Sequence, residues 1–463
     1  MRMDVTRARP TDETPAWESL GQLLAGDDAE AVRTFVVGLS PSDTPRLVTR
    51  LRGEERAKLL SVLDPGAAAA LLEQLPDVQI AELLADVAPP VAALIVNVLP
   101  SNQQADVLTA LSSDAARAVL RLMQPDEAAD ATRLVRYPER TAGGIMITEY
   151  LSFPEDATVA EVLDDLRANT ERYQRHDVQY IYVTDAAGVL NGVLRLRDLV
   201  LTAASTKVRQ IMITALECVP VDASLAALQD FFARLPYRGV PVVDPRHQLV
   251  GVVRHVDVAE ALGEQATSDH LKARGIVGGE ELRTMPVLTR ARRRLSWLAI
   301  NIGLNIVAAS IIALYQETLA TVIALAVFLP IVSDMSGCSG NQAIAVSMRE
   351  LALGMVRPAD AWRVWTQELS VGVINALALG LLLGLAAFVW QGNVMLSLVV
   401  GVALALNTVV AVSLGGLIPL VLRALRMDPA LASGPILTTV TDMCGFFFVL
   451  SFASATLPAL ALG

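Results

Sequence analysis

YIYVTDAAGVLNGVLRLRDLV (180–200) and GVPVVDPRHQLVGVVRHVDVA (239–259) are two copies of one pattern, offset by 59 residues. In register, Asp185 matches Asp244, Gly192 matches Gly251 and Asp198 matches Asp257. Each copy gives an apolar or alternating strand, a turn, a second apolar strand and a helix start. An earlier helical stretch precedes each, VAEVLDDL (159–166) and LAALQDFF (225–232). The duplication predicts a tandem α/β pair over 142–265.

Upstream, the chain changes period. Leu39, Leu51, Leu63, Leu75, Val87, Leu99, Leu111 and Met123 recur every 12 residues. Each closes a short apolar helical stretch, and breakers often follow, as in VLDPG (62–66), VAPP (87–90) and MQPDE (123–127). Two units make a 24-residue helix pair, so a stack of short helices is expected, with Asp, Ser or Pro at their starts. Its acids, among them Glu54, Glu55, Asp64, Asp77, Glu82 and Asp86, fit solvated helix faces.

Downstream, the composition divides. Residues 1–285 carry 28 Lys/Arg against 41 Asp/Glu, a net of −13, whereas 286–463 carry 9 against 7, a net of +2. The whole chain is 53% hydrophobic and 18% charged, which excludes a single soluble domain and a disordered tail. An acidic soluble half is also a poor partner for nucleic acid. Three scattered cysteines (Cys218, Cys338, Cys444) form neither a disulfide framework nor a metal spacing, so a secreted disulfide scaffold is excluded too. The opening MRMDVTRARPTDE has no apolar signal-peptide core, which predicts that the acidic half stays in the cytoplasm.

A membrane helix needs about 20 largely apolar residues. Five candidates lie near 296–315, 319–347, 364–390, 394–422 and 432–460. All nine basic residues of this half (Arg290, Arg292, Arg293, Arg294, Arg349, Arg357, Arg363, Arg423 and Arg426) fall on one side of that topology. The opposite loops, around YQETLA (315–320) and WQGNV (390–394), carry none. The positive-inside rule puts that basic side in the cytoplasm, the acidic half with it, and the C-terminus outside.

Two carboxylates mark the apolar stretches. Asp442 lies in LTTVTDMCGFFF (437–448), after Thr438, Thr439 and Thr441. An ionised Asp at mid-membrane costs on the order of 2.5–3.5 kcal/mol, so a water-filled cavity or another helix is expected to face it. A protonated Asp hydrogen-bonded between helices is the plainer alternative. Asp334 lies in FLPIVSDMSGCSGNQ (328–342), where Pro330, Ser336, Gly337 and Gly340 predict a broken or closely packed helix. Carboxylate, threonine hydroxyls and freed carbonyls suit a hard cation, and no histidine lies in this half to favour zinc or copper. Mg²⁺ dehydrates reluctantly, so a carboxylate acting through its bound waters would be a selectivity element; one carboxylate is a thin site for a divalent ion, and a two-fold axis beside Asp442 would supply two.

In these residues the chain resembles the MgtE-type magnesium channels or transporters. YPERTAGGIMITEY (137–150) looks like their junction into paired CBS domains. FLPIVSDMSGCSGNQ followed by RELALG (349–354) is similar to their second-span motif, and DPALASGPILTTVTD (428–442) to that of their fifth. The resemblance implies a homodimer in the inner (plasma) membrane, with a helical N-domain over 1–136 (ordered repeats from about 20) and CBS domains over 137–204 and 205–265. It further implies a connecting plug helix over 266–294 and a five-helix membrane domain over 295–463.

The resemblance puts the pore on the dimer axis, with Asp442 as its central carboxylate. Thr438 and Asp428 are then further candidate metal ligands, and Pro330, Asp334, Cys338 and Asn341 candidate pore-lining residues. It also implies that cytosolic Mg²⁺ bound among acids closes the pore. Asp257, Glu260 and Asp269 fall on acidic regulatory positions; Gln265, Ser268 and Pro236 replace others, for which Glu264 compensates in part. The chain departs from the family in having Ser336, Gly337 and Cys338 where GGN is usual. The thiol motivates a second cargo, Co²⁺ or Ni²⁺; helix packing is the plainer account of it. Nucleotide-binding CBS units generally carry Ser or Thr three residues before the closing Asp, where this chain has Arg195 and Arg254, so ATP binding is unsupported. A membrane-tethered sensor would need no intramembrane carboxylate. An enzyme would need a nucleophile–base pair or phosphate loop that the sequence does not offer.

Overall fold

The computed structural model describes residues 16–26, 28–40, 43–173 and 180–460. The opening segment 1–15, with the signal-peptide question, and His176 lie outside the described residues. The chain forms two compact units, 1–263 and 264–463.

In the first unit, helices Gly53–Val62, Pro65–Leu72, Asp77–Ala85, Pro89–Val96, Ser101–Ala110, Ser113–Leu120 and Pro125–Leu134 begin 12 residues apart. Leu51, Leu63, Leu75, Val87, Leu99, Leu111 and Met123 sit two residues before these starts, each buried in one shared core. The periodic residue is therefore the inward pin of each connection. Pro65, Pro89 and Pro125 open helices where no backbone N–H is needed. Asp64 and Ser112 cap others by accepting from Ala67 N (3.1 Å) and Ala115 N (3.3 Å). Alternate helices pack in two rows, which gives the 24-residue pair its two layers.

The α/β repeats also agree in detail. Strand Leu151–Pro154 runs parallel to Tyr180–Thr184, which pairs antiparallel with Leu190–Arg195. Val219–Pro220, Gly239–Val243 and Leu249–Arg254 repeat the arrangement, with the same register shift near the strand end. Asp185 and Asp244 build the intervening turns: Asp185 Oδ1 accepts from Ala187 N and Val189 N, and Asp244 Oδ1 from Arg246 N and Gln248 N. The entry segments are exchanged between the repeats. Ile147 bridges to Val252 of the second sheet and Ile213 to Val193 of the first. Gly251 and Gly192 admit these crossings, since a Cβ would sit 2.5 Å from Met146 Sδ and 2.8 Å from Met212 Sδ respectively.

The expected single helix over 266–294 is not formed. Helix His255–Ala273 ends, 274–286 turns, and Val287–Leu314 begins, with the basic run 290–294 already inside it. The break is local: Gly275 (φ 81°), Gly278 (φ 96°) and Gly279 (φ 70°) take left-handed conformations, and Pro286 precedes the next helix.

The second unit carries long helices Val287–Leu314, Leu325–Ala352, Ala361–Gln391, Val394–Ala424 and Pro429–Ala455, called first to fifth below. By length and composition, four can cross a membrane: the first, the third (with its 3₁₀ turn, Pro358–Gln391), the fourth and the fifth. The second has the same 28-residue length as the first, but Ser333, Asp334, Ser336, Ser339, Asn341 and Gln342 make it more polar. Nor is it broken. It runs through Pro330, so the carbonyls expected to be freed there stay within a helix. Pro330 lies in the second turn and forfeits only one backbone hydrogen bond.

The fourth helix is the packing centre, in contact with the second, third and fifth. Its neighbours come close where side chains are small. A Cβ on Gly380 would lie 2.6 Å from Gly401 O, and one on Gly340 2.7 Å from Leu437 Cδ2 and 2.8 Å from Ala411 O. Phe328, Val332, Val400, Leu404, Val449 and Leu450 share one buried cluster.

Candidate functional site

The second and fifth helices bring the predicted pore residues together. Asp442 is half-buried, and the Ser333 hydroxyl of the second helix donates to its Oδ1. Pro330, Asp334, Cys338 and Asn341 are all exposed, at spacings of four, four and three residues. Such spacings line one helix face. Thr438, one turn before Asp442 on the fifth helix, is exposed as well, and its hydroxyl donates to Gly434 O at 3.0 Å. A face bearing Asp334 and Asn341 and edged by Asp442 is costly to expose to hydrocarbon, because polar side chains there need water or partners.

Behind this face, polar groups are fully buried. Asn407 of the fourth helix is 0% exposed, and its amide donates to Thr441 O at 3.0 Å. Ser336 Oγ donates to Val332 O (2.8 Å) and Ser347 Oγ to Gly416 O (3.1 Å). Ser333 and Asn407 were not singled out in the sequence. Ser333 stood inside the quoted motif beside Asp334. The only signal for Asn407 was a polar Asn-Thr pair in an otherwise apolar run, ALALNTVVAV (403–412).

The candidate regulatory acids are placed differently. Asp257, Glu260, Glu264 and Asp269 share helix His255–Ala273. Asp257 is committed elsewhere: its side chain is 5% exposed and takes a forked pair from Arg254 Nε (2.8 Å) and Nη2 (2.6 Å). Glu260 and Glu264 are exposed and Asp269 half-buried. Asp428 caps the fifth helix by accepting from Ala430 N at 3.0 Å and pairs with Lys272 Nζ at 2.9 Å. Burial would push the Asp428 carboxyl up, but the Lys272 ammonium and the Ala430 and Leu431 N–H groups hold it below the ordinary range. Among the described residues, no three His, Cys, Asp or Glu side chains converge as a metal set.

The 274–286 turn adds an acid that the sequence did not flag. Glu281, whose side chain is 4% exposed, is held by both Arg290 and Arg294 of the first helix, and hydrogen bonds from Arg294 and then Arg290 depress its carboxyl. The basic run thereby closes the turn onto the helix that follows it.

A duplicated α/β module precedes a domain of long helices, four of them long and apolar enough to cross a membrane, with a carboxylate held between two of them; the class is a multi-pass membrane protein. Comparison with known families agrees along the chain. The family model described as a divalent cation transporter, MgtE, matches residues 329–452; the MgtE intracellular N domain matches 39–140, and the CBS domain 142–204 and 208–264. The chain belongs to the MgtE family. It is 37% identical to the magnesium transporter MgtE of Thermus thermophilus over 70% of this chain and 72% of that protein. It is 30% identical to that of Bacillus subtilis over 71% and 72%. Among solved structures, the cytosolic domain of the Mg²⁺ channel MgtE in complex with ATP is 33% identical, with a TM-score of 0.49, covering 53% of this chain and 99% of that one.

Proposed function

We propose that the chain is a magnesium transporter that works as a homodimer, its ion path running between the second and fifth helices of two copies. All five long helices cross the membrane in this account, with the first unit in the cytoplasm and the C-terminus outside. The carrying observation is the exposed polar face of Pro330, Asp334, Cys338 and Asn341, with Thr438 and Asp442 on the fifth helix. A second copy related by a two-fold axis would turn that face into a wet lumen with paired Asp442 carboxylates. A divalent ion that keeps part of its hydration shell fits such a pair, through water as well as directly. The relatives named magnesium transporters support Mg²⁺ as the substrate.

Gating by cytosolic divalent ions follows from charge. The acidic half repels itself when unliganded and compacts when cations screen it. With Asp257 and Asp428 paired to Arg254 and Lys272, the exposed Glu260 and the half-buried Asp269 are the better candidates for that role, and exposed Glu264 lies on the same helix. One observation favours a second cargo, Co²⁺ or Ni²⁺: Cys338 places a soft thiol on the exposed face.

Growth of a magnesium-uptake-deficient strain tests the account. The wild-type chain is expected to restore growth at low Mg²⁺, and Asp442→Ala to fail. Rescue by Asp442→Ala would remove the carboxylate from the mechanism.

A further inference from the structure

We propose that Asn407 is a positioning residue for the ion path: its buried amide holds the two backbone carbonyls that precede Ser333 and Asp442, and so fixes the pair those residues form. The inference rests on the pore reading of Asp442 given above. Asn407 Nδ2 lies 3.0 Å from Thr441 O and 3.5 Å from Val332 O. Thr441 is the residue before Asp442, and Val332 the residue before Ser333, whose hydroxyl donates to Asp442. One amide on the fourth helix therefore ties together the second and fifth helices at the level of the carboxylate.

Both neighbours are acceptors, so the NH₂ end is the one that meets them, and Asn407 Oδ1 is left buried without a hydrogen-bond partner. Space has been left for it. Gly445, one turn beyond Thr441, has no Cβ, and one there would sit 2.8 Å from Asn407 Nδ2. Asn407 itself is 0% exposed, so it touches no ion and acts only through the two backbones. Groups that orient a metal-binding side chain typically matter about 10- to 100-fold in affinity or activity when removed.

The test uses full-length protein in liposomes, with influx of Mg²⁺ alone and of Co²⁺ alone measured for Asn407→Leu, Ser333→Ala and the double variant. Leucine keeps the volume and removes both donors. Asn407→Leu is expected to lower Mg²⁺ influx about 10-fold or more and to shift the Mg²⁺ to Co²⁺ ratio in the same direction as Ser333→Ala. The double variant is expected to be no worse than the poorer single one, because both act through one pair. A folding defect would lower the number of active molecules and leave the ratio unchanged. If Asn407→Leu does not reach the membrane, Gly445→Ala, which crowds the same amide from the fifth helix, is expected to show the same shift. An unchanged ratio, or single effects that multiply in the double variant, would overturn the inference. Asp442→Asn in the same liposomes separates the two levels: wild-type influx there would overturn the pore reading itself.

Discussion

Lys272→Met and Asp428→Asn, made singly and together, measure what joins the end of helix His255–Ala273 to the start of the fifth helix. Lys272 Nζ and Asp428 Oδ2 lie 2.9 Å apart, with side chains 16% and 42% exposed. Methionine keeps the aliphatic stem, which packs where a Cβ on Gly279 would come within 2.9 Å of Lys272 Cε. Asparagine keeps the cap on Ala430, because Asn and Asp are equivalent N-caps. The double-mutant cycle thus isolates the charge pair. At this separation the attraction is about 1.4 kcal/mol in water and about 6 kcal/mol at an effective dielectric of 20. Desolvation and the ordering of a lysine chain offset most of it. With Asp428 well exposed, a coupling of about 1 kcal/mol is expected, near the upper end for surface pairs.

Hydrogen exchange in the peptide covering 274–286 reads that energy as local opening. Lys272→Met is expected to speed exchange about fivefold at neutral pH, and Asp428→Asn to add nothing in its presence. The pH sign follows from the depressed Asp428 carboxyl. The pair's contribution is complete above the ordinary value of 3.8 and is lost only as pH falls through the lower folded value. Exchange differences should therefore stay flat between neutral and mildly acidic pH. Equal exchange in wild type and Lys272→Met, or zero coupling in the cycle, would refute a stabilising role for the Lys272–Asp428 pair.

Gly340→Val drives two methyls toward Leu437 and the Ala411 carbonyl, so the thermal midpoint in detergent should drop by the equivalent of about 1–3 kcal/mol. Arg254→Met leaves the buried Asp257 carboxylate without its guanidinium and should cost about 3 kcal/mol in thermal unfolding; Asp257→Asn in the same chain should recover part of it. If cytosolic divalent ions compact the acidic half, trypsin cleavage at Arg274 and Arg283 should slow as Mg²⁺ rises through the millimolar range. Cleavage independent of Mg²⁺ would show that this segment does not respond.

Two features were legible because they repeat. A 12-residue period needs one inward residue per connection, and Leu51 to Met123 supply it at each helix start. The 59-residue offset likewise carried over to strand register and turn chemistry, through Asp185 and Asp244. What could not be seen depended on partners far along the chain. The crossing of Ile147 and Ile213 between sheets leaves no local pattern. Pro330 suggested a break, but its early position in a long helix made it cheap to accommodate. The Gly275, Gly278 and Gly279 turn stands in the sequence as RGIVGGE (274–280), yet the family resemblance implied an unbroken helix across it. At the site, Asp442 announced itself by its cost in an apolar run, whereas Asn407 is recognised only by the two carbonyls it meets.

The central claim is that Asp442 faces the ion path. Mg²⁺ influx into liposomes carrying wild type or Asp442→Ala at matched protein density tests it most directly. The account predicts influx for the wild type and protein-free background for Asp442→Ala, with both proteins eluting as the same assembly. Influx through Asp442→Ala equal to that of the wild type would contradict it.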